Sequence, residues 1–136
     1  MEEVEVQIEV DVNPTEDEVK VKRAVENMFG SVQFEFKPLK RGSLLTAKAT
    51  GTDGLTKFYN LLRRERIRDA ARAVMNKGIN GQSIVVYLNK QVAYAGHVSF
   101  SQPTGESPLG PIKVQIQCDN PKDTIDWLAP KTAQMP

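Results

Sequence analysis

The sequence predicts an α+β domain: a single, mostly antiparallel sheet with helices packed on one of its faces. Three observations predict it. Val4, Val6, Ile8, Val10 and Val12 alternate strictly with Glu3, Glu5, Gln7, Glu9 and Asp11, the period-two pattern of a strand with one face in a core. Further alternating or apolar runs recur down the chain, joined by connections too tight for crossovers, so neighbouring strands are expected to be antiparallel. Between them stand segments of 3.6-residue period, helices whose apolar stripes need one sheet face to cover.

Taken in order, the first strand carries its acids on the solvent side. Carboxylates at every second position of one strand stand roughly 7 Å apart and do not converge on a metal. Asn13-Pro14 ends the strand. Thr15 reads as an N-cap, with Glu18 completing a capping box, and Glu16, Asp17 and Glu18 suit the positive end of a helix dipole. Val21, Ala24, Val25 and Met28 form the buried stripe of that helix, and Gly30 stops it. Val32, Phe34 and Phe36 alternate as a second strand, residues 37–42 turn, and residues 43–50 return as the other arm of a hairpin. Lys37, Lys40 and Arg41 at its tip read as a solvated loop. Thr52 or Asp53, in the turn Gly51–Gly54, caps the helix that follows.

Residues 54–77 hold seven basic residues against two acidic ones, a local charge of +5 in a chain of net +1. Leu55, Phe58, Tyr59 and Leu62 form one helical stripe, and Ile67, Ala70, Ala71 and Val74 form another, rotated from the first by roughly 110°. One straight helix cannot press both on the same core. The expectation is two helices, or one sharply bent helix, joined at residues 64–66, where arginines crowd the junction.

Beyond Gly78 and Gly81, residues 84–88 are continuously apolar, which predicts a central strand covered on both faces. The segment 92–96 has no clear period. Residues 97–101 and 113–118 read as further strands around a loop rich in Pro and Gly, and Asp119-Asn120-Pro121 opens a last short helix, with Trp127 packed on the body.

A chain of 136 residues suits one domain, read as residues 1–128 with a frayed tail at 129–136. Apolar content of 40% and charged content of 26% are ordinary for a globular protein, so overall charge implies no partner and only its local distribution does. No apolar run is long enough to span a bilayer, and Met-Glu-Glu at the start is the reverse of a signal peptide, so a cytoplasmic protein is expected. One Cys118 and one His97 provide neither an internal disulfide nor zinc or haem spacing, and no cofactor or metal is expected.

At Leu62-Arg63, at Glu65-x-Ile67-x-Asp69-x-Ala71-Arg72, at Leu88-Asn89-Lys90-Gln91-x-Ala93 and at Pro108-Leu109-Gly110-Pro111-Ile112 the chain resembles the archaeal uncharacterised protein family 0201. The opening Val12-Asn13-Pro14-Thr15-Glu16 and the helix after it are similar too, so the resemblance runs nearly the whole length in the same order. It implies a fold like the fifth large-subunit ribosomal protein and, by analogy of fold, RNA binding. Some relatives look to be fused to a P-loop kinase-like domain. The resemblance brings no catalytic residue with it.

The residues themselves point to phosphate contacts. Arginine forks hold phosphate or stack on bases. Glu65 with Arg68 and Asp69 with Arg72 stand at helical i, i+3 spacing and neutralise each other. Arg63, Arg64 and Arg66 are left as the expected RNA-binding residues, with Lys77 and Lys90 second. No Walker sequence, RRM aromatic pair or KH clamp is present in context, so binding would read shape and phosphate. The alternative is a protein-interaction or homodimerisation module, with a P-loop kinase-like protein as one partner. An enzyme is not expected, since His97, Cys118 and Lys90 have no catalytic companions at motif spacing.

Overall fold

The chain runs β1 (Val4–Val12), α1 (Glu18–Met28), β2 (Gln33–Pro38), β3 (Ser43–Thr50), a 3-10 turn (Thr52–Leu55), α2 (Thr56–Arg64), α3 (Arg68–Lys77), β4 (Ile79–Asn80), β5 (Ser83–Asn89), α4 (Lys90–Tyr94), β6 (Pro111–Cys118) and α5 (Pro121–Leu128). The computed structural model describes residues 4–30, 32–102 and 110–131. The expected frayed segment beyond residue 131, and most of the Pro/Gly loop, lie outside the described residues.

Six strands form one sheet in the order β2-β3-β1-β6-β5-β4, with every pairing antiparallel. Its register explains why one face is a core. Ala47, Ile8, Val114 and Val86 lie side by side across four strands, as do Leu45, Val10, Ile112 and Leu88, and Ala49, Val6, Ile116 and Ile84. All twelve are buried. Each row needs an apolar cover, and α1 meets it with Val21, Ala24, Val25 and Met28, the stripe expected from sequence. Cys118 closes the same face and is buried, as expected for an unreactive packed thiol.

The other face is open. Its rows read Thr46, Glu9, Lys113, Tyr87 and then Lys48, Gln7, Gln115, Val85. This corrects the expectation for residues 84–88. β5 alternates between buried and half-buried, with Val85 and Tyr87 on the open side, because no helix among the described residues covers that face. A continuous apolar run cannot by itself distinguish one covered face from two. Residues 97–101 also depart from expectation. They make a single bridge, Phe100 to Leu88, flanked by Asn89 N–H to Ser99 O at 2.8 Å and Ser101 N–H to Tyr87 O at 2.8 Å. They share the β5 edge with β4, which takes the opposite end of it.

At the start of α1 the N-cap is Asp17, whose Oδ1 accepts from Val19 N–H at 2.9 Å, and not Thr15. Glu16 has another task. Its Oε1 accepts from the Asn13 backbone and side-chain amides and lies 2.9 Å from Lys90 Nζ, which also donates to Asp11 O at 2.7 Å. Lys90, only 3% exposed, thus ties the end of β1, the turn before α1 and the first turn of α4. Burial alone would raise the Glu16 pKa. The Asn13 N–H and the Lys90 ammonium outweigh it and hold the carboxyl below its ordinary value. Lys90→Met should therefore destabilise the fold by about 1.5–3 kcal/mol, because it leaves the half-buried Glu16 carboxylate and the Asp11 carbonyl without their shared charged donor. Urea unfolding of the two chains measures the difference.

Candidate functional site: the basic helical junction

The bend foreseen between residues 64 and 66 is present, and its geometry is a Schellman turn. Arg66 N–H donates to Arg63 O at 3.2 Å and Ile67 N–H to Leu62 O at 3.1 Å, with Arg66 at φ 57° in the left-handed region. Left-handed geometry disfavours a Cβ, so an arginine here carries strain that glycine would not. The turn redirects the chain so that Phe58, Leu61 and Leu62 of α2, and Ala71 and Met75 of α3, reach one core.

The expected site residues fare differently at this junction. Arg63 points inward. Its Nη1 donates to Leu128 O and Tyr59 O, both at 3.1 Å, and its Nη2 to Trp127 O at 3.3 Å, with its Cζ 3.4 Å from the Tyr59 ring centroid. Tyr59 in turn packs on Trp127, centroids 4.8 Å apart, which places Trp127 against the body as expected. Arg72 joins Arg63 on the last carbonyls of α5, donating to Ala129 O at 3.1 Å and pairing with Asp126 at 2.6 Å. Cations are favoured at a helix C-terminus, where carbonyls are left without intrahelical partners. Ala129, assigned from sequence to the frayed tail, is fully buried beneath this cap.

Arg64 and Arg66 are exposed. Arg64 Nη2 donates to Gly96 O at 3.0 Å, and Arg66 makes no side-chain hydrogen bond or ion pair among the described residues. Arg68 is half-exposed at the start of α3. Lys77 is exposed at the opposite end of α3, roughly 14 Å from Arg68 at 1.5 Å per residue. Lys90 is buried in its ion pair and offers no charge to a ligand at this junction. The five expected residues therefore do not form one patch. Arg64 and Arg66 remain, and Arg68 joins them.

Glu65 does not pair with Arg68 as the i, i+3 spacing implied. It reaches across to residues 97–98, with Oε2 at 2.8 Å from His97 Nδ1 and Oε1 accepting from Val98 N–H at 3.1 Å, and lies 3.6 Å from Arg64. Burial pushes its pKa up, but the Val98 N–H, His97 and Arg64 together bring it below the ordinary value. His97 is thus held at the junction rather than in a strand.

One neighbouring group was missed from sequence. Lys20 borders the apolar stripe of α1 on its α4 side, its Nζ 6.0 Å from the centroid of Tyr94, which is 41% exposed, and Arg23 is exposed one turn further on. Asn27, one turn beyond Arg23, donates to Ala93 O and Tyr94 O at 3.0 and 3.1 Å. The i, i+3, i+7 spacing of Lys20, Arg23 and Asn27 was visible, but nothing in sequence said what stood opposite.

The molecule is of a definite class: an antiparallel sheet with a helical layer on one face and two exposed arginines, Arg64 and Arg66, where that layer turns. A family model described as RNA binding matches residues 5–118. A UPF0201 protein of Pyrobaculum neutrophilum is 43% identical over 130 residues, covering 95% of this chain and 91% of that protein. One from Sulfurisphaera tokodaii is 45% identical over 127 residues, covering 93% and 88%. The crystal structure of a UPF0201 protein from Methanococcus jannaschii is similar at a TM-score of 0.84 and 35% identity, over 93% of this chain and 99% of that one. The chain belongs to the UPF0201 family, as the resemblance implied.

Two outcomes separate the structural arginines from the exposed ones. Arg63→Gln should lower stability by about 1.5–3 kcal/mol, the usual worth of hydrogen bonds to a charged group. Arg66→Gly should leave stability unchanged or slightly raised, since it relieves left-handed strain, and thermal melts distinguish the two. The Glu65 contribution has a defined pH window. Its folded pKa is depressed, so its stabilisation is present above the ordinary value of about 4.3 and disappears as pH falls through the lower folded value. Glu65→Gln should therefore destabilise at pH 7 and match the unaltered chain in acid, in parallel urea titrations.

Proposed function

We propose that the chain binds structured RNA in the cytoplasm through phosphate contacts at the α2–α3 turn, as a binding protein and not an enzyme. The observation that carries the reading is the group Arg64, Arg66 and Arg68 at one sharp bend. Glu65, the one acid among residues 64–68, is held by His97 and Val98 and lies 3.6 Å from Arg64, which leaves Arg66 without an ion pair among the described residues. The RNA-binding description of the matching family supports the same reading. A likeness to the fifth large-subunit ribosomal protein, implied by the resemblance, would fit it as well. The open sheet face is a poor second platform for a polyanion, because Glu5, Glu9, Asp11 and Glu35 outnumber Lys37, Lys48 and Lys113 there.

That same balance of charge favours a second reading, in which the open face meets a protein, either a second copy or a P-loop kinase-like partner. Val85 and Tyr87 are half-buried on it beside alternating acids and lysines. Such contacts survive salt better than phosphate contacts do.

If about three phosphates are neutralised, affinity for a structured RNA falls with a log–log salt slope of roughly −2 to −3. Replacing Arg64, Arg66 and Arg68 together by Gln should flatten that slope and leave the melting temperature nearly unchanged. Filter binding between low and moderate salt reads both chains. An unaltered slope moves the contact elsewhere, and no binding at low salt removes the reading.

A further inference from the structure

We propose that the groove between α1 and α4 receives an unstacked base of single-stranded RNA, laid on the ring of Tyr94. The inference rests on the RNA-binding reading above and adds to it a second contact, of different chemistry, on a different pair of helices.

The groove encloses about 320 Å³ and is lined by Lys20, Val21, Ala24, Lys90, Gln91 and Tyr94, with Thr15, Glu16 and Asp17 at its far end. That volume lies at the small end of ligand sites, which combine an apolar lining with a few placed polar groups. Here Val21 and Ala24 supply apolar wall. Gln91 lines the polar edge, the kind a base meets with its ring nitrogens and exocyclic groups.

Tyr94 is the feature that selects a base. A large aromatic ring left 41% exposed at a groove mouth is a stacking surface, and every nucleobase has a face that can lie on it. The backbone that carries the ring is also held in place. Asn27 holds the backbone carbonyls of Ala93 and Tyr94, Asn89 caps the other end of α4 through Val92 N–H, and Gly96 N–H closes on Ala93 O at 3.0 Å. A ring on a held backbone has only its side-chain torsions to lose when a base settles on it.

Charge sets the direction of approach. Lys20 Nζ sits 6.0 Å from the Tyr94 centroid, where it can meet the phosphate of a base stacked there. Arg23 is exposed one turn further along α1, and Arg64 is anchored on Gly96 O, two residues past Tyr94. At the opposite end Asp17 is held on Val19 N–H and repels phosphate. Cations therefore lead from the groove mouth toward the α2–α3 turn and continue past the reach of one nucleotide, which suits a strand better than a free mononucleotide. A loop or overhang of a structured RNA could place its unpaired base in the groove while its phosphates run to Arg64 and Arg66.

The test compares the full chain with Tyr94→Ala and Tyr94→Trp, using a mixed-sequence single-stranded RNA of twelve nucleotides, the corresponding duplex, and uridine monophosphate as probes. Fluorescence anisotropy at several salt concentrations reads affinity for the two RNAs, and competition reads the monophosphate. Tyr94→Ala should weaken single-strand binding roughly 5- to 150-fold, the range for one lost base stack, while leaving the salt slope and duplex affinity unchanged. Tyr94→Trp should retain binding, with its added indole emission quenched by the single strand. The monophosphate should bind far more weakly than the strand. Unchanged single-strand affinity in Tyr94→Ala, or no quenching in Tyr94→Trp, overturns the groove proposal. If the Arg64, Arg66 and Arg68 replacement still abolishes binding in that case, the phosphate reading survives alone. Equal losses for single strand and duplex also overturn it, since a stack cannot act on paired bases. Failure of the unaltered chain to bind any RNA removes both.

Discussion

One-sided burial of the sheet is the constraint from which the rest of the molecule follows. Three cross-strand rows of Val, Ile, Leu and Ala point to the same side of β3, β1, β6 and β5. Their counterparts on the other side are mostly Glu, Asp, Gln, Lys and Thr, with Leu44, Val85 and Tyr87 among them. Apolar area of that extent must leave water, at about 25 cal/mol per Å², and helices are what the connections supply. The helices therefore crowd one face and compete for it. α2 and α3 fit only by turning at Arg66, and α4 fits only because its first lysine finds a carboxylate and a carbonyl beneath it.

That crowding divides the basic residues into two populations. Arg63 and Arg72 lie where α5 closes on the helical layer, and its last carbonyls need donors. A guanidinium satisfies several acceptors at once from a fixed fork, which a lysine cannot do as well. These two arginines behave as structural caps. Arg64 and Arg66 fall on the outside of the turn in water, with Arg68 half-exposed beside them. The same division runs through the acids: Glu16 and Glu65 are drawn into ties between elements, whereas the β1 carboxylates stay on the open face.

The polar character of the open face bears on where a nucleic acid would lie. Sheet-face recognition of RNA uses aromatic rings to stack bases. The open face carries Tyr87 but sets it in a row with Lys113, Glu9 and Thr46. An exposed ring and exposed cations occur together instead on the helical side, at Tyr94, Lys20 and Arg64. Function on this fold is then a matter of which helix surfaces the packing leaves over.

The sequence by itself determined what depends on neighbours along the chain. The alternation of β1, the α1 stripe, the β2–β3 hairpin and the bend between two mismatched apolar stripes were all legible, because side-chain period reports directly which face is dry. The Thr15 cap, the second covered face of residues 84–88 and the strand at 97–101 were not, since each turned on what lay opposite in space. The same holds for the arginines. Seven basic residues in one stretch announced a charged element, but adjacent guanidinium groups are identical until a distant carbonyl claims one of them. Only the tertiary structure decided that Arg63 faces Leu128 and Trp127, that Lys90 is buried on Glu16, and that Arg64 and Arg66 remain in water, because those partners are separated in sequence by tens of residues and meet only when the core closes.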